Sequence, residues 1–79
     1  MATKIYGVSQ EEVNRLENNF KYHSPKEDQP ERYVNVRDSA KSFAYLIMEL
    51  CPPSRERSLA ITALEDAVMW ANASIARNE

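Results

Sequence analysis

The segment that most constrains this chain is Cys51-Pro52-Pro53-Ser54, which separates two long stretches that contain neither proline nor glycine. Consecutive prolines do not fit inside a helix, because each lacks a backbone N–H and its ring clashes with the preceding turn. Ser54 suits the N-cap of a following helix, with Glu56 in its first turn. A connection of about four residues makes the flanking helices antiparallel neighbours, so this segment predicts a helical hairpin.

The helix predicted after this turn is apolar around most of its circumference. One stripe, which we expect to face the preceding helix, consists of Ile61, Leu64, Val68, Ala71 and Ile75. A second stripe consists of Leu59, Ala60, Ala63, Ala67, Trp70 and Ser74. Since a helix that is apolar on most sides is buried on most sides, and one hairpin cannot cover it, the pattern predicts an obligate homo-oligomer built around this helix.

The N-terminal part predicts a loose arm over residues 1–8 followed by a short helix. Ser9 and Glu12 have the spacing of a capping box, and the helix is expected to end between Asn19 and Lys21. Its apolar residues form one narrow stripe of Val13, Leu16 and Phe20. A helix of about 12 residues is marginal alone, so we expect this stripe to dock on another surface.

The second helix is predicted to begin at Asp28 or Gln29 and to end at Leu50, after a connector that contains Pro25. Asp28 is the expected cap, and Pro30 suits the first turn. The expected apolar stripe is Tyr33, Val36, Ala40, Phe43, Ile47 and Leu50, widened by Ala44 and Leu46. The predicted fold is all-α: one domain, 1–79, with an arm and short helix over 1–21 and a long antiparallel hairpin over 28–79.

The size and composition of the chain argue against several classes of site and function. A chain of 79 residues with one cysteine and one histidine forms neither an internal disulfide nor a closed zinc site, which leaves self-assembly as the stabiliser. The net charge of −2 argues against a nonspecific duplex-DNA binder, and a single glycine excludes a glycine-rich phosphate loop. Without an apolar run of membrane-spanning length or a signal-peptide core, we expect a soluble, cytosolic protein.

The sequence gives little evidence for catalytic residues. Cys51 with His23 could be read as a nucleophile and base, but a cysteine at a helix end before two prolines is more typical of a residue that fills a packing gap. Glu65 and Asp66 are adjacent on a helix and point about 100° apart, so they do not form a paired-carboxylate site. The sequence therefore predicts no enzyme, no metal and no cofactor.

Aromatic and basic residues form the stronger candidate site. They comprise Phe20, Tyr22, His23 and Lys26 around the first connector, Arg37 and Lys41 on the second helix, and Arg55, Arg57 and Arg77 on the third. Flat rings with interleaved cations suit nucleobases and phosphates. On spacing alone, a second interpretation stays open, in which the aromatics dock the first helix and the cations form surface ion pairs.

Several segments of the chain resemble a known family, the small phage proteins that act as cyclic-oligonucleotide sponges. These are anti-CBASS proteins that share a hairpin domain with the anti-Thoeris sponges. The resemblance covers about residues 20–79, and residues 1–19 carry little of it. It rests on YHSP (22–25), QPERY (29–33), VRD (36–38), LCPPSRE (50–56) and, as the most specific part, AVMWANASIARNE (67–79).

The resemblance implies a homohexamer of helical hairpins in the cytoplasm of an infected bacterium. Pockets between its protomers would sequester cyclic dinucleotides, such as cyclic GMP-AMP, and separate pockets would hold cyclic trinucleotides, in both cases without cleavage. In the dinucleotide pocket, the family's aromatic and basic positions are best matched by Tyr22 and Arg37, with Ser39 as a nearby hydroxyl. Arg77 is the candidate for the trinucleotide pocket. Lys26, His23 and Arg55 are secondary candidates.

Two other functions remain open from the sequence. The first is a small oligomeric helical adaptor without a nucleotide ligand, whose apolar third helix binds another protein. The second is a helix-turn-helix DNA binder, which is disfavoured by the length of the helices, the proline-rich turn and the acidic charge.

Overall fold

The computed structural model describes residues 3–79, which form three helices and no strand. Helix α1 spans Gln10–Asn19, α2 spans Gln29–Leu50 and α3 spans Arg55–Asn78. The all-helical prediction and the order of the helices are confirmed. Met1 and Ala2 of the predicted arm lie outside the described residues, and residues 3–9 have no regular secondary structure.

Helix α1 begins with the predicted capping box. The Ser9 hydroxyl accepts from the backbone N–H of Glu12 at 3.1 Å, and the Glu12 carboxylate accepts from the backbone N–H of Ser9 at 3.0 Å. The hydrogen bonds to the ionised carboxylate lower the pKa of Glu12. Two of the amides that a helix N-terminus leaves unpaired are thereby satisfied.

Helix α2 begins where the sequence predicts, with Pro30 in its first turn. The prediction that the Asp28 side chain caps this helix is wrong. Asp28 occupies the N-cap position with φ −91° and ψ 8°, outside the extended region that a capping residue adopts, and its side chain makes no capping hydrogen bond. Its carboxylate instead forms an ion pair with Arg32 one turn later, at 3.1 Å. Glu27, just before it, has a positive φ of 54°.

The Pro-Pro turn joins α2 to α3 as predicted. The Ser54 hydroxyl caps α3 by accepting from the N–H of Arg57 at 3.1 Å. The Arg57 guanidinium donates back to the carbonyls of Met48 and Cys51, both at 3.2 Å, so it satisfies the C-terminal end of α2. The expectation that Cys51 fills a packing gap is wrong for the single chain, because this residue lies at the helix end, outside the packed part of the hairpin, and is exposed.

The two long helices pack along one face each. On α3 the half-buried positions include the whole predicted stripe, Ile61, Leu64, Val68, Ala71 and Ile75. On α2 they are Arg32, Tyr33, Val36, Ala40, Ala44 and Ile47. Phe43, Leu46 and Leu50 were placed on this stripe wrongly, since all three are exposed in the single chain, and Ala44 occupies the contact.

The molecule is a thin layer of helices. Its extents are 54 × 42 × 15 Å, and its radius of gyration is 18.3 Å, against about 12 Å for a compact chain of this length. No apolar side chain within residues 3–79 is buried, and Trp70 on the outer side of α3 is 62% exposed. Both broad faces of the hairpin are therefore uncovered in the single chain. None of the described helices is long and apolar enough to cross a membrane.

Helix α1 extends away from the hairpin instead of packing its apolar stripe against it. Val13 and Leu16 are exposed, and Phe20 at the helix end is 87% exposed. The side chain of Asn18 makes the direct link to the hairpin, donating from Nδ2 to the carbonyl of Arg77 at 3.1 Å. The single chain therefore gives this stripe no docking surface, and its docking on another chain remains a prediction.

Candidate functional site

An open groove of about 550 Å³ lies where the first connector meets the last turns of α3. We call residues 20–28, between α1 and α2, the connector. The groove is lined by Asn19, Lys21, Tyr22, His23, Pro25, Tyr33, Arg37, Asn72, Ala73, Ala76 and Arg77. Four of the predicted site residues, Tyr22, His23, Arg37 and Arg77, are therefore brought together from three different parts of the sequence.

Helical spacing explains how α2 and α3 supply their side chains to this groove. Tyr33 and Arg37 are four residues apart on α2, so they lie on the same face one turn apart. Asn72 and Ala76 on α3 have the same spacing, with Ala73 and Arg77 beside them. The small alanines leave room between the polar and aromatic side chains, which makes this end of the hairpin concave.

The charge of the groove is positive although the protein is acidic overall. Its described lining includes Lys21, Arg37 and Arg77 and contains no aspartate or glutamate. An anion in the groove therefore meets guanidinium and ammonium donors without a carboxylate beside it. Arg37 and Arg77 can each present two parallel N–H groups to a phosphate, a geometry that a lysine ammonium does not offer.

Three aromatic rings accompany these cations. Tyr22 is 80% exposed, so its ring is accessible to a flat ligand. The His23 ring is half-buried, and its Nε2 lies 2.8 Å from the carbonyl of Asn18. Since a carbonyl only accepts, Nε2 carries the proton and donates, which leaves Nδ1 of a neutral ring free to accept from a ligand. Tyr33 supplies the third ring from the half-buried face of α2.

A smaller hollow of about 200 Å³ adjoins the groove and shares Lys21, Tyr22 and His23 with it. Lys26 lines this hollow, together with Gln29 and Glu79. The predicted residue Lys26 is therefore next to the groove and does not line it.

The Glu79 carboxylate in this hollow is held in its charged form. Arg32 Nη1 donates to its Oε2 at 2.7 Å, Arg32 Nη2 contacts its Oε1, and Gln29 Nε2 donates to Oε1 at 3.2 Å. These hydrogen bonds, led by the one from Arg32, lower the pKa of Glu79 to about 2. The same contact raises the pKa of Arg32. The carboxylate of the adjoining hollow is thus held in an ion pair with Arg32.

Besides Lys26, other predicted residues are absent from the lining of the groove: Ser39 and Arg55, and from the aromatic and basic set also Phe20, Lys41 and Arg57. Ser39 is exposed two positions after Arg37, which turns its side chain by about 200° to the other side of α2. Arg55 opens α3, 22 residues before Arg77, so the two are separated by about 33 Å along the helix. The groove that contains Tyr22 and Arg37 thus includes neither of these candidates within one chain.

Several lining residues escaped the sequence interpretation. The sequence pattern places Tyr33 in the apolar stripe and Lys21 at the end of the first helix, and it gives Asn72 no role in a site. The spacing of four between Tyr33 and Arg37 was the available signal for the first of them. For Lys21 and Asn72 no sequence signal existed, because the connector meets α3 through contacts between distant parts of the chain.

The positions of His23 and Cys51 decide whether they can act as a catalytic pair. His23 lies near Asn18 at the open end of the hairpin, whereas Cys51 lies in the Pro-Pro turn at the opposite end, so the two do not form a nucleophile and base pair. Within residues 3–79 no group of three or more His, Cys, Asp or Glu side chains could hold a metal ion. The groove instead offers stacking surfaces and anion contacts, which suit binding.

Comparison with known families identifies the hairpin. The model of the Acb2/Tad1 hairpin domain matches residues 12–76. The chain belongs to this family. It is the family of the anti-CBASS and anti-Thoeris sponge proteins, which are known as sponges and not as enzymes. Comparison with curated proteins and comparison with solved structures gave no match.

The matched range corrects the extent of the resemblance seen in the sequence. The sequence motifs assign little of the resemblance to residues 1–19, yet the match begins at Glu12, inside α1. The short helix is therefore mostly part of the hairpin domain and not an addition to it. At the other end the match stops at Ala76, one residue before Arg77.

Proposed function

We propose that this protein is a phage anti-defence protein that binds cyclic di- and trinucleotide second messengers and withholds them, uncleaved, from the effectors of CBASS immunity. The proposal extends to Thoeris signalling as a further target of the same binding. Membership of the sponge family supports the class of function. The observation that carries the proposal for this chain is the groove, which unites Tyr22 and His23 with Arg37 and Arg77.

The chemistry of a cyclic dinucleotide matches that of the groove. Such a ligand carries two flat bases and two phosphate charges. The Tyr22 ring is accessible for stacking, worth about 1–3 kcal/mol per base, while Arg37 supplies charge-assisted hydrogen bonds to phosphate. Arg77, the candidate for the trinucleotide pocket, lines the same groove and adds a second guanidinium there. Ser39 and Arg55 belong to the proposal only through a second protomer, since they lie away from the groove of their own chain.

A homo-oligomer, with the hexamer as the expected state, is part of the proposal. The hairpin has no buried apolar side chain within the described residues, and both of its faces are open. A chain of this size without a core needs a partner to be stable. Two copies related by a two-fold axis would present each groove residue twice, which suits a ligand that is itself close to two-fold symmetric.

Sequestration requires tight, reversible binding and no bond cleavage. The groove residues match this requirement, because they supply rings and cations and no nucleophile paired with a base. The site of action is the cytoplasm of the infected bacterium, where the messengers are made. No metal or cofactor enters the proposed mechanism.

Calorimetric titration of the purified protein with cyclic GMP-AMP and with a cyclic trinucleotide tests the proposal. We expect saturable binding of both ligands and weak binding of linear dinucleotides, which lack the ring constraint. Competition shows whether the two ligands use separate sites. A protein that binds neither cyclic ligand would contradict the proposal.

The adaptor function is the second candidate, and the exposed apolar surface is the observation that favours it. Phe20, Phe43, Leu50 and Trp70 are all exposed in the single chain. Light scattering after size exclusion separates the two candidates. A stable homo-oligomer leaves this surface covered by copies of the same chain, whereas a monomer that associates only with other proteins supports the adaptor.

A further inference from the structure

The residues on either side of the connector are hydrogen-bonded to the C-terminal end of α3. Before the connector, Asn18 Nδ2 of α1 donates to the carbonyl of Arg77 in the last turn of α3 at 3.1 Å. After the connector, Gln29 Nε2 at the start of α2 donates to Oε1 of Glu79, the residue that follows α3, at 3.2 Å. These two contacts, which we call the Asn18–Arg77 tie and the Gln29–Glu79 tie, join residues that are 59 and 50 positions apart in the sequence. The connector is therefore closed onto α3 from both sides.

Gln29 is the centre of the second tie. It is only 2% exposed and is the one buried residue among residues 3–79. The side-chain Oε1 of Gln29 accepts from the backbone N–H of Lys26 at 3.1 Å, and the backbone N–H of Gln29 donates to the carbonyl of Lys26 at 3.0 Å. The side-chain amide thus uses its acceptor on the connector and its donor on the end of α3. A buried amide with both functions satisfied fixes the geometry of the groups around it.

The other hydrogen bonds of the described connector residues are local and do not reach α3. It contains no regular secondary structure, and α1 before it projects away from the hairpin. His23 is bonded locally, from Nε2 to the carbonyl of Asn18, so its position follows that of the Asn18–Arg77 tie. Glu27 has a positive φ of 54°, a conformation that a non-glycine residue keeps only where its surroundings hold it. The Asn18–Arg77 and Gln29–Glu79 ties lie on either side of this residue.

From this arrangement we infer that Asn18 and Gln29 are positioning residues for the proposed nucleotide site, holding Tyr22 and His23 of the connector against Arg77 of α3. Neither residue needs to touch the ligand. Their effect is to keep the groove in its binding-competent shape before the ligand arrives, which avoids an ordering cost during binding. The inference rests on the proposed function for its ligand, and on the hydrogen bonds alone for the restraint.

Other charged side chains surround the Gln29–Glu79 tie and affect its strength. Arg32 pairs with both Asp28 and Glu79, and Lys26 and Lys21 line the same hollow. Arg32 keeps the Glu79 carboxylate oriented as an acceptor for Gln29. Substituting Glu79 therefore disturbs the ion pair as well, and Gln29 is the cleaner residue to change.

Amide hydrogen exchange of the full-length protein without ligand tests the restraint itself. In Gln29→Ala, the Lys26 N–H loses its acceptor, and we expect faster exchange across the connector while the middle of α2 and α3 exchanges as in the wild type. Gln10→Ala is the matched control, because it removes a glutamine side-chain hydrogen bond, to Asn14 at 2.8 Å, on the far end of α1. Unchanged connector exchange in Gln29→Ala overturns the inference whether or not any nucleotide binds.

Binding of cyclic GMP-AMP tests the consequence for the site. When a variant populates the competent state less, its dissociation constant rises by the same factor. We expect about a 2- to 12-fold weaker affinity for Gln29→Ala and for Asn18→Ala, and wild-type affinity for Gln10→Ala. In the saturated complex the connector of both variants should again exchange slowly, because the ligand replaces the missing restraint. A purely structural defect would leave exchange fast in the complex.

The outcomes separate this inference from the proposed function. If wild-type protein does not bind the cyclic dinucleotide, the proposed function fails and the exchange experiment still decides the restraint. If the wild type binds and both tie variants bind equally well despite a faster-exchanging connector, the positioning role is wrong and the function stands. If loss of the buried Gln29 side chain prevents folding, Asn18→Ala still tests the positioning role, because Asn18 lies on α1, outside the hairpin.

Discussion

Arg32, in the first turn of α2, forms a two-point ion pair with Glu79, the residue that follows α3. Nη1 of Arg32 donates to Oε2 of Glu79 at 2.7 Å, and Nη2 contacts Oε1. The pair joins the beginning of the hairpin to its end, beside the groove that holds the candidate binding residues. It also holds the carboxylate that accepts from the buried Gln29.

The pair predicts a defined dependence of stability on pH. The pKa of Glu79 is lowered from its ordinary 4.5 to about 2 in the folded chain. A carboxyl whose pKa is lowered on folding stabilises the fold fully above its ordinary pKa, and this contribution is lost as the pH falls through the folded value. The stability difference between wild type and Glu79→Gln should therefore be largest near neutral pH, decline below 4.5 and vanish below about 2.

Urea unfolding of both proteins across this pH range measures that difference. An NMR titration of the Glu79 side-chain carboxyl locates the pKa directly. The same difference at every pH would mean that the charge of Glu79 plays no part in the contact.

Removing the accessible ring of the groove should weaken nucleotide binding and leave assembly unchanged. For Tyr22→Ala we expect an affinity for cyclic GMP-AMP about 5- to 150-fold lower, which corresponds to the loss of one stacked base. Calorimetry measures the affinity and light scattering the oligomer. Tyr6→Ala is the control, since Tyr6 is also exposed but lies in the N-terminal arm. Equal losses in both variants would show that stacking on Tyr22 is not specific.

Removing a groove cation should change binding in a different way. Arg37→Ala is expected to abolish measurable dinucleotide binding at physiological salt, because it removes the two-point contact to phosphate. Arg37→Lys keeps the charge but not the two parallel donors, so it should recover only part of the affinity. Full recovery in Arg37→Lys would indicate that Arg37 contributes charge alone.

Trp70→Ala should act on assembly and not on the groove. Trp70 is 62% exposed in the single chain and does not line the groove, so we place it in a contact between protomers. Truncation of a tryptophan in a packed interface costs about 3–5 kcal/mol, whereas Trp70→Phe should cost less. Light scattering over a dilution series follows dissociation of the oligomer. Wild-type assembly in Trp70→Ala would place the interface elsewhere.

The two serine caps should have separable effects. Ser54→Ala removes the hydroxyl that caps α3 and should lower the free energy of unfolding by about 1 kcal/mol. Ser9→Ala removes half of the α1 capping box, and because α1 extends away from the hairpin, helix α1 alone should fray. Chemical denaturation combined with hydrogen exchange distinguishes these results. An equal loss of global stability in both variants would mean that α1 is docked more firmly than one side-chain bond indicates.

Local signals in the sequence were sufficient for the helices. The capping box at Ser9, Pro30 in a first turn and the Pro-Pro turn before Ser54 each act over a few residues, and the observed helix bounds follow them. Asp28 was assigned wrongly as a capping side chain because its ion pair with Arg32 competes for the same carboxylate. Phe43 was assigned wrongly because apolar spacing identifies a stripe but not which edge of it meets the neighbouring helix.

The candidate site was less predictable. Tyr22, His23, Arg37 and Arg77 were chosen for ring and charge chemistry and for a family resemblance, and the fold brings them into one groove. The roles of Gln29 and Asn18 could not be foreseen, since each depends on a partner near the other end of the chain. No helical period or turn motif encodes a contact at that separation.

Recovery of the ligand after binding distinguishes sequestration from cleavage and from absence of binding. The purified protein is mixed with cyclic GMP-AMP below saturation, the free ligand is removed by filtration, the protein is denatured, and the released nucleotide is analysed by chromatography and mass. Sequestration predicts that nearly all of the ligand is retained before denaturation and that it is released afterwards with its mass unchanged. Ligand that passes through the filter, or a linear or shorter product after release, would contradict it.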